Sequence, residues 1–115
     1  MSSNETTINW RDIDTILLDM DGTVLDLAFD NYFWLELLPK HVAEKRGISL
    51  VAAREQVRAH TARTLGSLQW YCIDHWSEQL DIDVAAIKRA SRHRIGYLPG
   101  ALEFLHRAKR SPLRV

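Results

Sequence analysis

The chain has 115 residues, 46% hydrophobic and 26% charged, with 15 Lys/Arg balanced by 15 Asp/Glu. That length suits one small domain with a core rather than two, and the composition is globular, without disordered or collagen-like bias. A single cysteine, Cys72, excludes an internal disulfide and a thiolate zinc site, and no run approaches the roughly 18 apolar residues of a membrane span.

The polar leader "MSSNETTINW" has neither the basic start nor the apolar stretch of a signal peptide, so with its lone cysteine the chain is expected in a reducing cytoplasm. Thr15 to Leu18 is a short β-prone apolar run, of the kind that suits a strand buried on both faces of a parallel sheet. From about Phe29 to Ile95 the period changes to helical. "FDNYFWLELLPKHVAEKRG" sets Phe33, Leu37 and His41, and also Trp34, Leu38 and Val42, at helical spacing. Pro39 should kink or divide this helix, because it lacks an N–H and clashes with the preceding turn, and Gly47 should stop it.

"SLVAAREQVRAHTARTL" begins at an N-cap, Ser49, and aligns Leu50, Ala53, Val57 and Thr61. "SLQWYCIDHWSEQL" puts Leu68, Tyr71, Cys72, His75, Trp76 and Gln79 on one stripe, which makes Cys72 an expected inert core thiol. Trp70 and Ile73 fall off that stripe, so this helix should bury two faces. "DVAAIKRASRHRI" follows, with Asp83 as N-cap. Four such helices with short connections fit a small antiparallel bundle. "YLPG" breaks the pattern, "ALEFLHRAKR" reads as another amphipathic helix through Leu102, Leu105 and Ala108, and "SPLRV" resembles the approach to a second strand. The stretch from Lys88 onward carries eight Lys/Arg against the single acid Glu103, yet only Tyr97 and Phe104 as aromatics. It reads as a solvated helix face, and no nucleic-acid partner is expected.

Against this background "ILLDMDGTVLD" is unusual. An apolar run ends on two carboxylates, Asp19 and Asp21, although like charges held close repel. Strand alternation would put both on one face, with Met20 on the other. At the carboxyl end of a parallel strand, that face is where open α/β folds bind ligands. Gly22 lets the backbone turn and approach a ligand closely, and Thr23 adds a hydroxyl and continues a run of amides able to cradle phosphate oxygens. One carboxylate could attack phosphorus and ligate a hard cation while the other trades protons with the leaving group. Taken alone "DMDGT" also reads as a polar turn with a chance acid pair; the upstream strand and the helical insertion make it more specific.

"LLDMDGTVLD" resembles the first motif of the haloacid dehalogenase-like (HAD) superfamily of phosphohydrolases, DxDGT/S, which follows the first strand of a Rossmann-like sheet. The resemblance implies an α/β fold with a HAD-like Rossmannoid core, of which only the first strand and one helix are present, and an inserted α-helical cap, so that the chain as given is mostly helical. Residues 1–28 would begin the core, 29–95 would be the cap, and 96–115 would return into the core. Asp19 would be the nucleophile that forms an aspartyl-phosphate and Asp21 the general acid/base. The family's Mg²⁺ would be held by the Asp19 carboxylate, the Asp21 backbone carbonyl and an acid from a later motif, with Gly22 and Thr23 at the phosphate.

"DMDGTVLDLAFDNYFW" and "LQWYCIDHWSEQLDID" are similar to stretches of a bacterial nucleotidase branch of the superfamily, implying a purine nucleoside monophosphate, GMP or IMP, as substrate. The superfamily's later motifs, a phosphate-binding Ser/Thr, a Lys and further acids, do not occur before Val115. The isolated chain is therefore expected to be inactive, with a complementing carboxy-terminal half as an expected partner. The alternatives are a non-catalytic fragment, a helical interaction module or a phosphatase for another small phosphate ester.

Asp30, Asn31 and Tyr32 open the helical region, where they would cap the helix or touch substrate, the N-cap role being preferred for Asp30. Trp34, Trp70, Tyr71 and Trp76 could stack on a purine, but at this spacing they read first as core. The five histidines show no HxxxH or HxxEH spacing and are read as surface or satisfied core groups. Neither GxxxxGK[ST] nor GxGxxG is present, so ATP or dinucleotide binding has no support.

Overall fold

A computed structural model describes residues 7–115. A short 3-10 turn at Trp10–Asp12 is followed by α1 (Ala28–Tyr32), a π-helical stretch (Phe33–Leu37), α2 (Leu38–Arg46), α3 (Leu50–Thr64), a 3-10 turn (Leu68–Tyr71), α4 (Ile73–Leu80), α5 (Val84–Ala90), a 3-10 turn (Arg92–Arg94) and α6 (Ala101–Arg110). The chain divides into two compact units. Leu27–Ile95 form one, and Gly96–Val115 with the residues up to Asp26 form the other.

The helical unit is organised around Trp76. Its fully buried ring packs in a core of Phe33, Leu38, Val42, Ala53, Val57, Leu80 and Val84, with Trp34 and Trp70 half-buried against it. Its indole N–H donates to the Trp70 carbonyl at 3.0 Å, so the one polar atom of the largest core side chain is satisfied. α2 packs on α3 and α4 on α5. Local chemistry sets the helix ends. The Ser49 hydroxyl accepts the Ala52 amide at 3.1 Å and the Asp83 carboxylate accepts the Ala86 amide at 3.0 Å, each relieving an orphan N–H of a first turn. Gly47, at φ 62°, closes α2 in the left-handed conformation that favours glycine. Lys45 bridges to Asp81 at 3.3 Å, and Arg46 donates to the Leu80 carbonyl at 3.3 Å, which ties the end of α2 to the end of α4.

The helical run continues past Pro39 but changes type beside it. Pro39 occupies the first turn of α2, where its missing N–H costs least. The π-helical stretch ends just before it, and the Leu38 amide donates to Phe33 five residues back. The division expected at Pro39 therefore takes the form of a change of helix type.

Four other expectations fail. Cys72 is exposed, because the chain is extended there between the 3-10 turn and α4; the single long stripe is broken and Leu68 and Tyr71 face solvent. Asp30 is not an N-cap. α1 starts two residues earlier, at Ala28, and the Asp30 carboxylate accepts the Trp34 indole N–H from within the helix. Lys88 is not simply solvated, since its ammonium lies 4.7 Å from the Phe33 ring centroid and 4.9 Å from that of Trp34. His60 is buried but not satisfied: its Nε2 has no hydrogen-bond partner.

In the second unit, Thr15 and Arg114 form an isolated parallel bridge. The Ile16 amide donates to the Arg114 carbonyl at 2.7 Å and the Arg114 amide to the Asp14 carbonyl at 3.0 Å. The approach of "SPLRV" to pairing is thus realised, but no strand forms among the described residues. Leu17 is 91% exposed and Met20 62%, so the expected burial on both faces of Thr15–Leu18 is absent: a single bridge from one side supplies no layers to cover it. α6 buries Ala108 and, through Glu103, Phe104 and Arg107 together with Trp10, Ile16 and Leu113, lines a mixed polar and apolar cavity of about 580 Å³.

Candidate active site

The segment after Leu18 folds into a closed loop. The Met20 carbonyl accepts the amides of Thr23, Val24 and Leu25 at 3.3, 3.0 and 2.9 Å, and the Gly22 amide donates to the Leu25 carbonyl at 2.9 Å. Gly22 has φ 76°, which a side chain would strain, so a glycine at the apex follows from the geometry. Leu25 is anchored by an antiparallel bridge to Tyr97, the Leu98 amide donates to the Val24 carbonyl at 3.0 Å, and the Asp26 amide donates to the Gly96 carbonyl at 2.9 Å.

This loop brings Asp19, Asp21, Gly22 and Thr23 together, all exposed. Asp19 is oriented by its own backbone, its Oδ1 accepting the Met20 amide at 2.9 Å. The backbone bends at Met20 and turns from Gly22, so the strand alternation that would give the two carboxylates a common face does not run through them. The amides of Gly22 and Thr23 are engaged within the loop, leaving the Thr23 hydroxyl as the exposed donor at its tip.

Asp30, Asn31 and Tyr32 lie in the helical unit, on α1. Asp30 binds Trp34 at 3.1 Å, Asn31 is exposed, and the half-buried Tyr32 ring carries the Arg94 guanidinium 4.0 Å from its centroid. Of the four aromatics considered for stacking, Trp76 is wholly core, Trp34 and Trp70 pack on it, and Tyr71 is 79% exposed. Sequence reasoning passed over Arg94 and His93 as part of a basic stretch. The signal lay in "RHRI", where three basic residues follow the end of α5.

Among the described residues no group of three or more His, Cys, Asp or Glu stands where it could hold a metal ion. The Asp19 carboxylate and the Asp21 carbonyl are nevertheless hard oxygen donors of the type Mg²⁺ prefers, and that ion commonly takes one or two protein carboxylates and fills its remaining positions with water and phosphate.

The comparisons with known proteins support a resemblance of this chain to part of a HAD-superfamily hydrolase. The chain is 44% identical over 104 residues to the GMP/IMP nucleotidase YrfG of Escherichia coli (strain K12), and equally to that of Shigella flexneri, a match covering 90% of this chain. Its fold matches a HAD phosphatase from Thermococcus onnurineus with a TM-score of 0.71 at 20% identity, over 88% of this chain and 48% of that one. The chain spans about half the length of the curated relatives it matches, 47%. No protein-family model matches it.

Proposed function

We infer that these residues supply the nucleophile loop and the cap of a magnesium-dependent phosphohydrolase for small phosphate esters, with a purine nucleoside monophosphate such as GMP or IMP as substrate. The observation that carries this reading is the 44% identity over 104 residues to a GMP/IMP nucleotidase; the exposed Asp19–Thr23 loop adds to it. Leu27–Ile95 is read as the cap, and Thr15–Leu18 with the Arg114 segment as the start of a Rossmann-like core.

Asp19 attacks the phosphorus of the ester. A bond forms between its carboxylate oxygen and phosphorus as the bond from phosphorus to the ribose oxygen breaks, and Asp21 donates a proton to the departing alkoxide. Asp21, now a carboxylate, removes a proton from a water that attacks the aspartyl-phosphate, which releases phosphate and restores Asp19. The Asp19 carboxylate and the Asp21 carbonyl would hold Mg²⁺, which supplies neutralisation of the phosphate charge. The Thr23 hydroxyl binds a phosphate oxygen. A cytoplasmic location and a carboxy-terminal polypeptide completing the site belong to the same reading, because the charge developing on phosphorus needs further cationic donors.

A non-catalytic role, as a fragment or interaction module, is the second reading, favoured by the exposed apolar side chains Leu17 and Met20 beside the acid loop. The two are separated by replacing the matching stretch of the Escherichia coli relative with these residues. Phosphate release from IMP by that chimera, abolished by Asp19→Asn, supports the enzyme; a folded chimera with no release overturns it.

A further inference from the structure

The helical unit holds a groove of about 520 Å³ that the nucleophile loop does not contribute to. Leu37 and Ile87, half-buried, form its apolar floor, and Tyr32, His41, His93 and Arg94 stand around it. Among the described residues no Asp or Glu lines it. The volume lies within the range of small-molecule sites, which combine an apolar lining with a few convergent polar groups.

Arg94 gives the groove its permanent charge. Its guanidinium carbon lies over the Tyr32 ring, 4.0 Å from the centroid, and no ion pair among the described residues uses it. A guanidinium over a ring keeps N–H donors for an oxyanion. Two imidazoles add N–H donors or acceptors beside it. A neutral apolar ligand would leave Arg94 unmatched, and a bare inorganic anion would leave the Leu37–Ile87 floor uncovered.

We propose that this groove, lined by no residue of the nucleophile loop, is a second binding site, for a separate molecule of a small anion carrying a flat ring, of the nucleoside monophosphate class, with Arg94 and the two imidazoles on the phosphate and the apolar floor under the ring. The choice of IMP as the probe rests on the nucleotidase reading; the groove itself does not.

The test is an NMR titration of the 115-residue chain, following the imidazole signals of His41 and His93 with IMP, inosine and inorganic phosphate in turn. Saturable shifts of both histidines with IMP are expected, with inosine and phosphate each binding at least about tenfold more weakly, and with Arg94→Gln weakening IMP about tenfold, the scale of one lost charge-assisted contact. Arg94 is exposed, so the variant should keep its fold, and His93→Ala serves as the second variant. No shift, equal binding by wild type and both variants, or phosphate binding as tightly as IMP would overturn the proposal. The titration reads His41 and His93 and needs no turnover, so failure of the groove is read there and failure of the nucleophile assignment is read from phosphate release.

Discussion

Trp34 donates its indole N–H to Asp30 Oδ1 across 3.1 Å, a contact one helical turn long that spans the passage from α1 into the π-helical stretch. The bond joins a charged acceptor to a half-buried donor, and hydrogen bonds of that kind contribute about 1.5–3 kcal/mol. Asp30→Ala should therefore lower the unfolding free energy measured in urea by about 1–2 kcal/mol, toward the low end because the pair is not fully buried, and should shift the tryptophan emission.

The fully buried Trp76 ring packs against Trp34, His60 and Trp70. Trp76→Ala should cost about 3–5 kcal/mol, the range for deleting a large buried aromatic. The change is measured by urea unfolding, and retention of wild-type stability would mean that the core is centred elsewhere.

His60 is 4% exposed, stacks on His75 with ring centroids 5.2 Å apart and meets the Trp76 edge at 4.5 Å. Burial lowers its pKa from the ordinary 6.5, and the nearby His75 and Arg63 lower it further. The folded state then holds a neutral imidazole that the unfolded chain would protonate more readily. Its contribution is present in full above the unfolded value and is lost as pH falls below about 6.5 toward the folded value. Stability should fall as pH is lowered through about 6.5, and His60→Leu should flatten that part of the profile; an unchanged slope in the variant would assign the titration to another group.

Ser49 and Asp83 each cap a helix through a bond near 3 Å. Ser49→Ala and Asp83→Ala should each cost about 1 kcal/mol, and the sum should be close to additive because the caps belong to different helices. Circular dichroism during thermal unfolding measures both.

The features legible in the sequence were those decided within a few residues. Ser49, Asp83 and Gly47 act on their own turns, so side-chain chemistry announces them. The burial of Trp76, Val57 and Ala53 followed from helical spacing. Where the outcome depended on partners, the sequence was mute. Whether Thr15–Leu18 is buried depends on layers that one bridge to Arg114 does not provide. Cys72 looked apolar-facing only while the helix was assumed to run unbroken through it, and the extended residue there changes the register on either side. His60 showed no motif, because its burial comes from Trp76 and His75, distant in sequence. The acid loop was legible as a motif, whereas its internal bonding, with Met20 accepting three amides, was not.

The most direct test of the central claim is to find the phosphoryl group on its carrier. The chimera built on the Escherichia coli relative is mixed with IMP and magnesium, quenched in acid within its first turnovers and digested with trypsin. The account predicts phosphate on the peptide Asp12–Lys40, at Asp19, removable by hydroxylamine and absent from Asp19→Asn. Steady release of phosphate with that peptide unlabelled, or with the label on another residue, would contradict it.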